Sequence, residues 1–457
     1  MSLSRRSALK VLGLSPVAAS VLFSINPTES QASQDVKGKI VIVGGGSGAI
    51  MALSRLHRAI KNPDITIIAP NEVHLYQPGQ VFVGAGVMQY DDILLENKNY
   101  IPKDVKWIKD EVSKFDPKNN TVTTRSGTQV KYDYMVVATG VINRFDKIEG
   151  LNETDIGTNG ITCIYDSNLE KGTARGASLT WEWFNNVKNA AKTKRPTVLF
   201  TQPDSPIKCG GAPQKMLYLN ADFLKKDSLG ADYHFYTGLK TLFHLPEVDK
   251  ALKTVQARYD KIETKYSHFL RAVDVKAKKA TFIHAYEKEV IDPDFGEKTK
   301  ESVTEDVVVS YDFLHVTPPM SPPMALMDSD LLNDMGWLDV DQYSLQHKKY
   351  KNVFGIGDVC GIPMGKTGGS ARHHGPILRD NLLSVMNGKE PKEKFDGYTV
   401  CPLKTQYGKI LMAEFNYEGP KPTIPHLNIA EPRWMWWEFD LYMLKPMYKY
   451  LMLPGYF

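Results

Sequence analysis

The chain has 457 residues, of which 42% are hydrophobic and 24% charged, and a formal net charge of +4. That length supports two or three domains with cores of their own, while the small charge, with no Lys/Arg run, argues against nucleic acid as the main partner. Four cysteines in a chain this long exclude a disulfide scaffold, so each is read by itself.

The paired Arg5-Arg6, the short apolar run from Val11 to Ile25 and the small residues Ser30 and Ala32 read as a twin-arginine signal over 1–32. The run is too short and too rich in Ala, Ser and Gly for a membrane span. This predicts a mature chain beginning near Ser33, on the periplasmic side of the cytoplasmic membrane.

Lys39 to Val43 is a buried-type strand, followed by Gly44-Gly45-Gly46-Ser47-Gly48-Ala49, a helical run through Ile60 and a second strand, Asp64 to Ile68. The spacing predicts a β-α-β unit whose Gly44-x-Gly46-x-x-Ala49 loop brings backbone N–H groups to a pyrophosphate. The acidic residue that usually ends the second strand is missing. Ala69 and Pro70 stand there, with Asn71 and Glu72 as the nearest polar side chains.

Further on, the strand Tyr134 to Val137 ends in Ala138-Thr139-Gly140, and Val198 to Phe200 leads into Pro206-Ile207-Lys208-Cys209-Gly210-Gly211. In a pyridine-nucleotide enzyme a second Gly-rich phosphate loop would follow such a strand. Asp249 to Lys300 is charged, helical and then strand-like. Val307 to Val309 and Phe313 to Val316 return to buried strands, and Val353 to Gly357 runs into Asp358.

Cys209 lies in a Gly/Pro-rich turn beside Lys208 and Lys215, a setting that favours thiolate. Cys360 follows Gly357-Asp358. Cys163 and Cys401 lie in apolar stretches and read as structural. No cysteine pair has zinc-ligand spacing, and His373-His374 alone makes no metal site.

The tail crowds Trp434, Trp436, Trp437, Phe439, Tyr442, Tyr448, Tyr450 and several Met and Leu residues together with Lys445 and Lys449. That mixture suits a membrane–water interface, and Asp440, Lys445, Pro446 and Lys449 interrupt any span. Cutting the chain after Glu431 is therefore expected to release it from membranes while leaving it folded.

Several segments together resemble one family, the sulfide:quinone oxidoreductases, in the branch that includes the mitochondrial enzymes. They are Gly44 to Gly48, His74-x-Tyr76-Gln77-Pro78, Ile207 to Lys215, His315 to Pro323, Gly355 to Asp358, Lys366-Thr367 and Asp396-Gly397-Tyr398-Thr399-x-Cys401-Pro402-Leu403. The resemblance implies an α/β fold of two Rossmann-like domains plus a C-terminal aromatic segment at the membrane interface. FAD would be held by Gly44, Gly46, Ser47, Gly48, Ala49, Asn71, Thr139, Gly140, Gly357, Asp358 and Lys366. The FAD domain would span 33–144 and 311–390, a second domain without nucleotide 145–310, and a quinone and membrane region 391–457.

The resemblance also implies a redox-active bridge between Cys209 and Cys360, although Val359 separates Cys360 from Asp358 where the mitochondrial branch has the cysteine next to the aspartate. No cysteine precedes Cys163, which excludes a covalent flavin link from that region. The implied partners are hydrogen sulfide, ubiquinone or menaquinone, a membrane surface and a sulfur acceptor, with homo-oligomerisation left open. The rival reading is the flavoprotein subunit of a flavocytochrome c sulfide dehydrogenase, which passes electrons to a haem partner.

Overall fold

The computed structural model describes residues 33–168, 172–291 and 298–457. In chain order its main elements are β1 (Lys39–Val43), α1 (Ser47–Ala59), β2 (Asp64–Ile68), β3 (Lys106–Ile108) and β4 (Tyr134–Val137). Then come β5 (Ile161–Thr162), α2 (Arg175–Ala191), β6 (Thr197–Gln202), α3 (Ala212–Lys225), β7 (Asp232–Thr237), β8 (Ile262–Lys265) and β9 (Phe313–His315). The last third holds β10 (Val353–Gly355), α4 (Gly368–Met386), β11 (Thr399–Gln406), β12 (Lys409–Asn416) and α5 (Trp434–Glu438).

The first sheet has the order β10-β4-β1-β2-β3 and is parallel throughout. Its strands are short apolar runs because both faces are covered. The register decides where the site lies. Val43 pairs with Ile68 and Val137, and Val137 pairs with Gly355, so four strands end level. The loops after them, carrying Gly44–Ser47, Asn71, Thr139–Gly140 and Gly357–Asp358, open into one crevice, the usual ligand position in such sheets.

The second sheet has the order β5-β9-β6-β7-β8. β9 belongs to it, pairing with β5 and β6. The chain therefore returns to the first unit after His315 rather than at residue 311. Between β8 and β9, three antiparallel strands, His268–Asp274, Lys279–Ile291 and Lys298–Ser310, form a separate small sheet.

β11 and β12 form an antiparallel pair in which β11 packs on α3 and β12 on α5. From α5 the tail continues in wide π-type turns, Phe439–Met443 and Tyr448–Met452, around a short α-helical turn, Leu444–Met447. Trp436, Trp437, Met447, Tyr448 and Met452 are buried, whereas Trp434, Tyr442, Tyr450 and Tyr456 stay exposed. Among the described residues, no helix is long and apolar enough to cross a membrane.

Candidate functional site

β1 passes into α1 through three glycines. Gly44 takes a positive φ of 125°, and a Cβ there would stand 2.3 Å from the Ala138 carbonyl oxygen, so only glycine lets β1 and β4 end this close. The α1 N-cap is Gly46, with no side chain capping the helix, and its first N–H groups face the crevice. Asn71 does not reach outward. Its amide donates to the Gly45 and Val73 carbonyls at 3.2 and 2.9 Å, and Asn97 donates to Gly45 and Asn71, so the pair braces the loop from behind.

A cavity of about 1140 Å³ runs from this loop to the cysteine segment. Gly44, Gly46, Ser47, Gly48, Asn71, Thr139, Gly140, Gly357, Asp358 and Lys366 all line it. Ala49 lies one step further along α1 and is buried in the core. The lining fits a flavin dinucleotide: a bare helix N-terminus for the pyrophosphate, a buried Thr139 hydroxyl with no partner among the described residues, and open space before Gly46, Gly140 and Gly357. Burial raises the Asp358 carboxyl pKa against the pull of Lys366 and Lys208. Lys366 donates to the backbone carbonyls of Asp358 and Cys360 at 2.6 and 3.0 Å and lies over the Trp337 ring. Burial lowers its pKa to about 8. Glu111 and Arg125, which the sequence did not single out, form an ion pair lining the cavity.

The cysteine end is built by the loop from β6 to α3. Cys209 adopts a left-handed backbone with φ 49°, strain that its hydrogen bonds hold in place. Its N–H donates to the Lys366 carbonyl at 2.8 Å, and its own carbonyl accepts from the Tyr165 hydroxyl at 3.0 Å and the Ala212 N–H at 2.8 Å. Lys215, one turn further on and 2% exposed, donates from Nζ to the Cys209 sulfur at 3.1 Å.

The residue set against Cys209 is Cys401, from β11, and not Cys360. The two thiols are close enough to shift each other's protonation. A Cβ on Gly211 would come within 2.7 Å of the Cys401 sulfur, so glycine at 211 lets α3 and β11 meet here. Cys401, and after it the Lys215 charge, hold the Cys209 thiol well below the usual range, while Cys401 is held well above it.

Cys360, expected as the partner, is fully buried in the core under the first sheet. Its sulfur packs against Gly355, alongside Leu338 and Val340. It does not line the cavity, and burial pushes its thiol up to about 12. The physical reason is local. Gly357 turns the chain so that Asp358 faces the cavity and Cys360, two residues on, faces the core. Cys401, read as structural, is the cysteine coupled to Cys209 instead, although it is buried and does not itself line the cavity. Its only sequence signal was its place in the Asp396–Leu403 segment. Cys163 is fully buried, and burial pushes its thiol up.

The tail completes the cavity. Trp436, Phe439, Asp440, Leu444, Met447, Tyr448 and Met452 line it. The Tyr448 hydroxyl contacts His74 Nε2 at 2.5 Å. Asp440 forms an ion pair with Lys404 of β11, at 1% and 2% side-chain exposure.

Comparison with known proteins gives the family. Residues 38–175 match the pyridine nucleotide-disulphide oxidoreductase family. The chain is 33% identical to the mitochondrial sulfide:quinone oxidoreductase of Mus musculus over 92% of its own length and 87% of the relative's. It is 36% identical to the mitochondrial enzyme of that name from Dictyostelium discoideum, over 83% and 78%. The crystal structure of the sulfide:quinone oxidoreductase from Aquifex aeolicus shares the fold, with a TM-score of 0.70 over 92% of each chain at 19% identity. These relatives correct the expectation of a periplasmic protein exported by the twin-arginine route: both long matches are mitochondrial proteins. Residues 1–32, on which that expectation rested, lie outside the described residues. Identity of 33–36% over most of the chain and of its relatives, on this fold and around this cavity, makes the chain a member of the sulfide:quinone oxidoreductase family, an FAD-binding oxidoreductase.

Proposed function

We propose that the protein oxidises hydrosulfide through a disulfide between Cys209 and Cys401 and delivers the electrons to a membrane quinone. The observation that supports this reading is the coupling of the Cys401 thiol to Cys209, which lines one end of the flavin cavity with the Lys215 ammonium on its sulfur.

Hydrosulfide attacks one sulfur of the disulfide, the S–S bond breaks, and the other sulfur leaves as thiolate. Lys215 makes Cys209 the better leaving group, so attack falls on the Cys401 sulfur, which becomes the persulfide Cys401–S–SH. A nucleophilic sulfur acceptor removes the outer sulfur with its proton, leaving two cysteine thiolates. FAD, held by the loops at the level edge of the first sheet, would supply the sink for the two electrons released when the disulfide re-forms, on their way to quinone. Sulfide and acceptor thus leave as one sulfane-sulfur product and two electrons, and the chain ends the cycle unchanged.

The exposed Trp434, Tyr442, Tyr450 and Tyr456, with Lys449 among them, support a monotopic membrane contact on the tail. Rapid mixing tests the whole reading. Sulfide should bleach the flavin of the full-length protein, and a soluble ubiquinone analogue should restore it faster than cytochrome c does. Bleaching should vanish in Cys209→Ser and in Cys401→Ser. Normal bleaching in either variant would sink the disulfide.

A further inference from the structure

Arg55 stands on the buried face of α1 and is 3% exposed. Its Nε has no hydrogen-bond partner among the described residues and lies against the α4 backbone, where a Cβ on Gly375 would stand 2.9 Å from it. Three more guanidinium groups act on it: Arg58, further along α1, and Arg372 and Arg379 of α4. Two carboxylates offset the four. Asp380 is already held through both oxygens by Arg379, at 2.7 Å each. Glu414 acts on Arg372 and accepts from the Tyr398 hydroxyl at 2.6 Å. Neither forms an ion pair with Arg55. Burial and its arginine neighbours push the Arg55 pKa down to about 10, which still leaves it charged at neutral pH. A buried charge without a counter-charge is costly, and a guanidinium cannot escape the cost by losing its proton.

The cluster has open space beside it, because Arg55, Arg372, Pro376 and Phe457 line the cavity. That space is not where a flavin pyrophosphate goes. Arg55 is eight residues past Ser47, about 12 Å along the helix axis from the bare N-terminus. The last residues of the tail cover the cluster instead. Arg58 donates to the Pro454 and Gly455 carbonyls and lies 4.7 Å from the centre of the Tyr456 ring. Arg372 lies 4.9 Å from the centre of the Phe457 ring. Gly455 takes a φ of 70°, and a Cβ there would stand 2.7 Å from the Arg55 Cγ. The arginines thus sit directly beneath the exposed Tyr456.

From this we infer that Arg55, with Arg58, Arg372 and Arg379 around it, forms a binding site for a phosphate-type oxyanion. Guanidinium forks match such oxygens with paired N–H donors, and the anion brings the charge that the cluster is missing. Two sources share this chemistry, free phosphate and the head group of a phospholipid. The head-group source rests on the membrane contact proposed above, which puts the exposed tyrosines of the tail at head-group depth. The site itself does not depend on that contact.

The test uses the FAD-loaded, full-length protein in phosphate-free buffer at constant ionic strength. Inorganic phosphate, dihexanoylphosphatidylglycerol and octylglucoside, the last two below their micelle concentrations, are each titrated against thermal unfolding. Phosphate or the lipid should raise the wild-type Tm by about 2–4 °C near saturation, and octylglucoside should not. A rise with the lipid where the same concentration of phosphate does nothing assigns the site to a head group, and an equal rise assigns it to free phosphate. Arg55→Met should lose the response and keep its flavin. Without anion it should unfold no earlier than wild type, because an unpaired buried charge is gone. Arg55→Lys, charged but without the fork, should keep part of the response. A wild-type Tm that neither phosphate nor the lipid moves overturns the inference, and so does a full response in Arg55→Met. An Arg55→Met protein that melts earlier than wild type, or does not fold, makes Arg55 a packing residue and overturns it too. Sedimentation with phosphatidylcholine–phosphatidylglycerol vesicles judges the membrane contact separately. If the wild-type protein stays in the supernatant, that contact falls while the Tm response still decides the arginine site.

Discussion

Lys215 stands one turn into α3, nine-tenths or more buried, with its ammonium on the Cys209 sulfur. Burial alone would disfavour its charge, but the two cysteines opposite raise its pKa, so it stays an ammonium. The sign for Cys209 follows: it remains thiolate at pH values below an ordinary thiol's pKa of about 8.5. Replacing Lys215 by Met should move the midpoint of iodoacetamide alkylation of the reduced protein upward, slowing alkylation at neutral pH by about tenfold per unit. An unchanged midpoint would assign the activation to Cys401 alone. Cys360→Ser makes the opposite kind of prediction. A hydroxyl among Leu338, Val340 and Val359 finds no partner in an apolar core, so stability should fall by about 1–3 kcal/mol while sulfide still bleaches the flavin. Thermal unfolding and rapid mixing on the same sample check both halves. Cys209 and Lys215 were legible in the sequence because a helix turn sets their spacing. Cys401 was not, because its approach depends on β11 packing across α3 at Gly211, a tertiary contact that no local pattern encodes.

The tail shows the same limit at the scale of an element. Its composition of Trp, Tyr, Met and Lys was legible, and the exposed members fit the interfacial reading. Its sequence concealed that the other half of those side chains closes the cavity. Trp437 meets Phe82 edge-on with ring centres 5.2 Å apart, Tyr448 bonds His74 near the phosphate loop, and Asp440 neutralises Lys404. Removing residues after Glu431 strips these contacts and leaves Lys404 charged in the interior. An ion pair broken in a buried site costs about 3–5 kcal/mol, and each lost core aromatic adds about 1.5–3 kcal/mol. The truncated chain is therefore expected to lose its cooperative unfolding transition and its flavin, in contrast to the simple release from membranes that composition suggests. Lys404→Met, which strands Asp440 instead, should lower stability by the same 3–5 kcal/mol or so. Lys404→Met combined with Asp440→Leu should recover most of it, since replacing a buried pair by apolar residues is often neutral. Chemical denaturation of the three variants measures that difference, and a double variant no more stable than Lys404→Met would show that the pair is not what holds the tail.

At the scale of the whole molecule, two parallel sheets with helices between them were legible from the strand runs, and so was the level edge where the flavin loops converge. What distinguishes the two sheets is how α1 and α3 begin. In the first, three glycines separate β1 from α1, and the helix presents free N–H groups at a bare N-terminus. In the second, nine residues separate β6 from α3, among them Pro203, Pro206, Lys208 and Cys209. The Ala212 N–H is already given to the Cys209 carbonyl, and Pro213 has none to give. A pyrophosphate placed at α3 would therefore find fewer donors than α1 offers. The space in front of α3 is filled by Cys209, with Lys215 turned toward sulfur rather than toward phosphate. In the proposed mechanism the second unit thus uses the start of α3 as a thiol site. Neither NADH nor NADPH should bleach the flavin in the time sulfide completes it, and neither should slow bleaching by sulfide when present in excess. Anaerobic mixing followed by flavin absorbance decides the point. Rapid bleaching by either nucleotide would mean that hydride reaches the flavin by a route that does not use α3, and that the cysteine pair is not the sole entry for electrons.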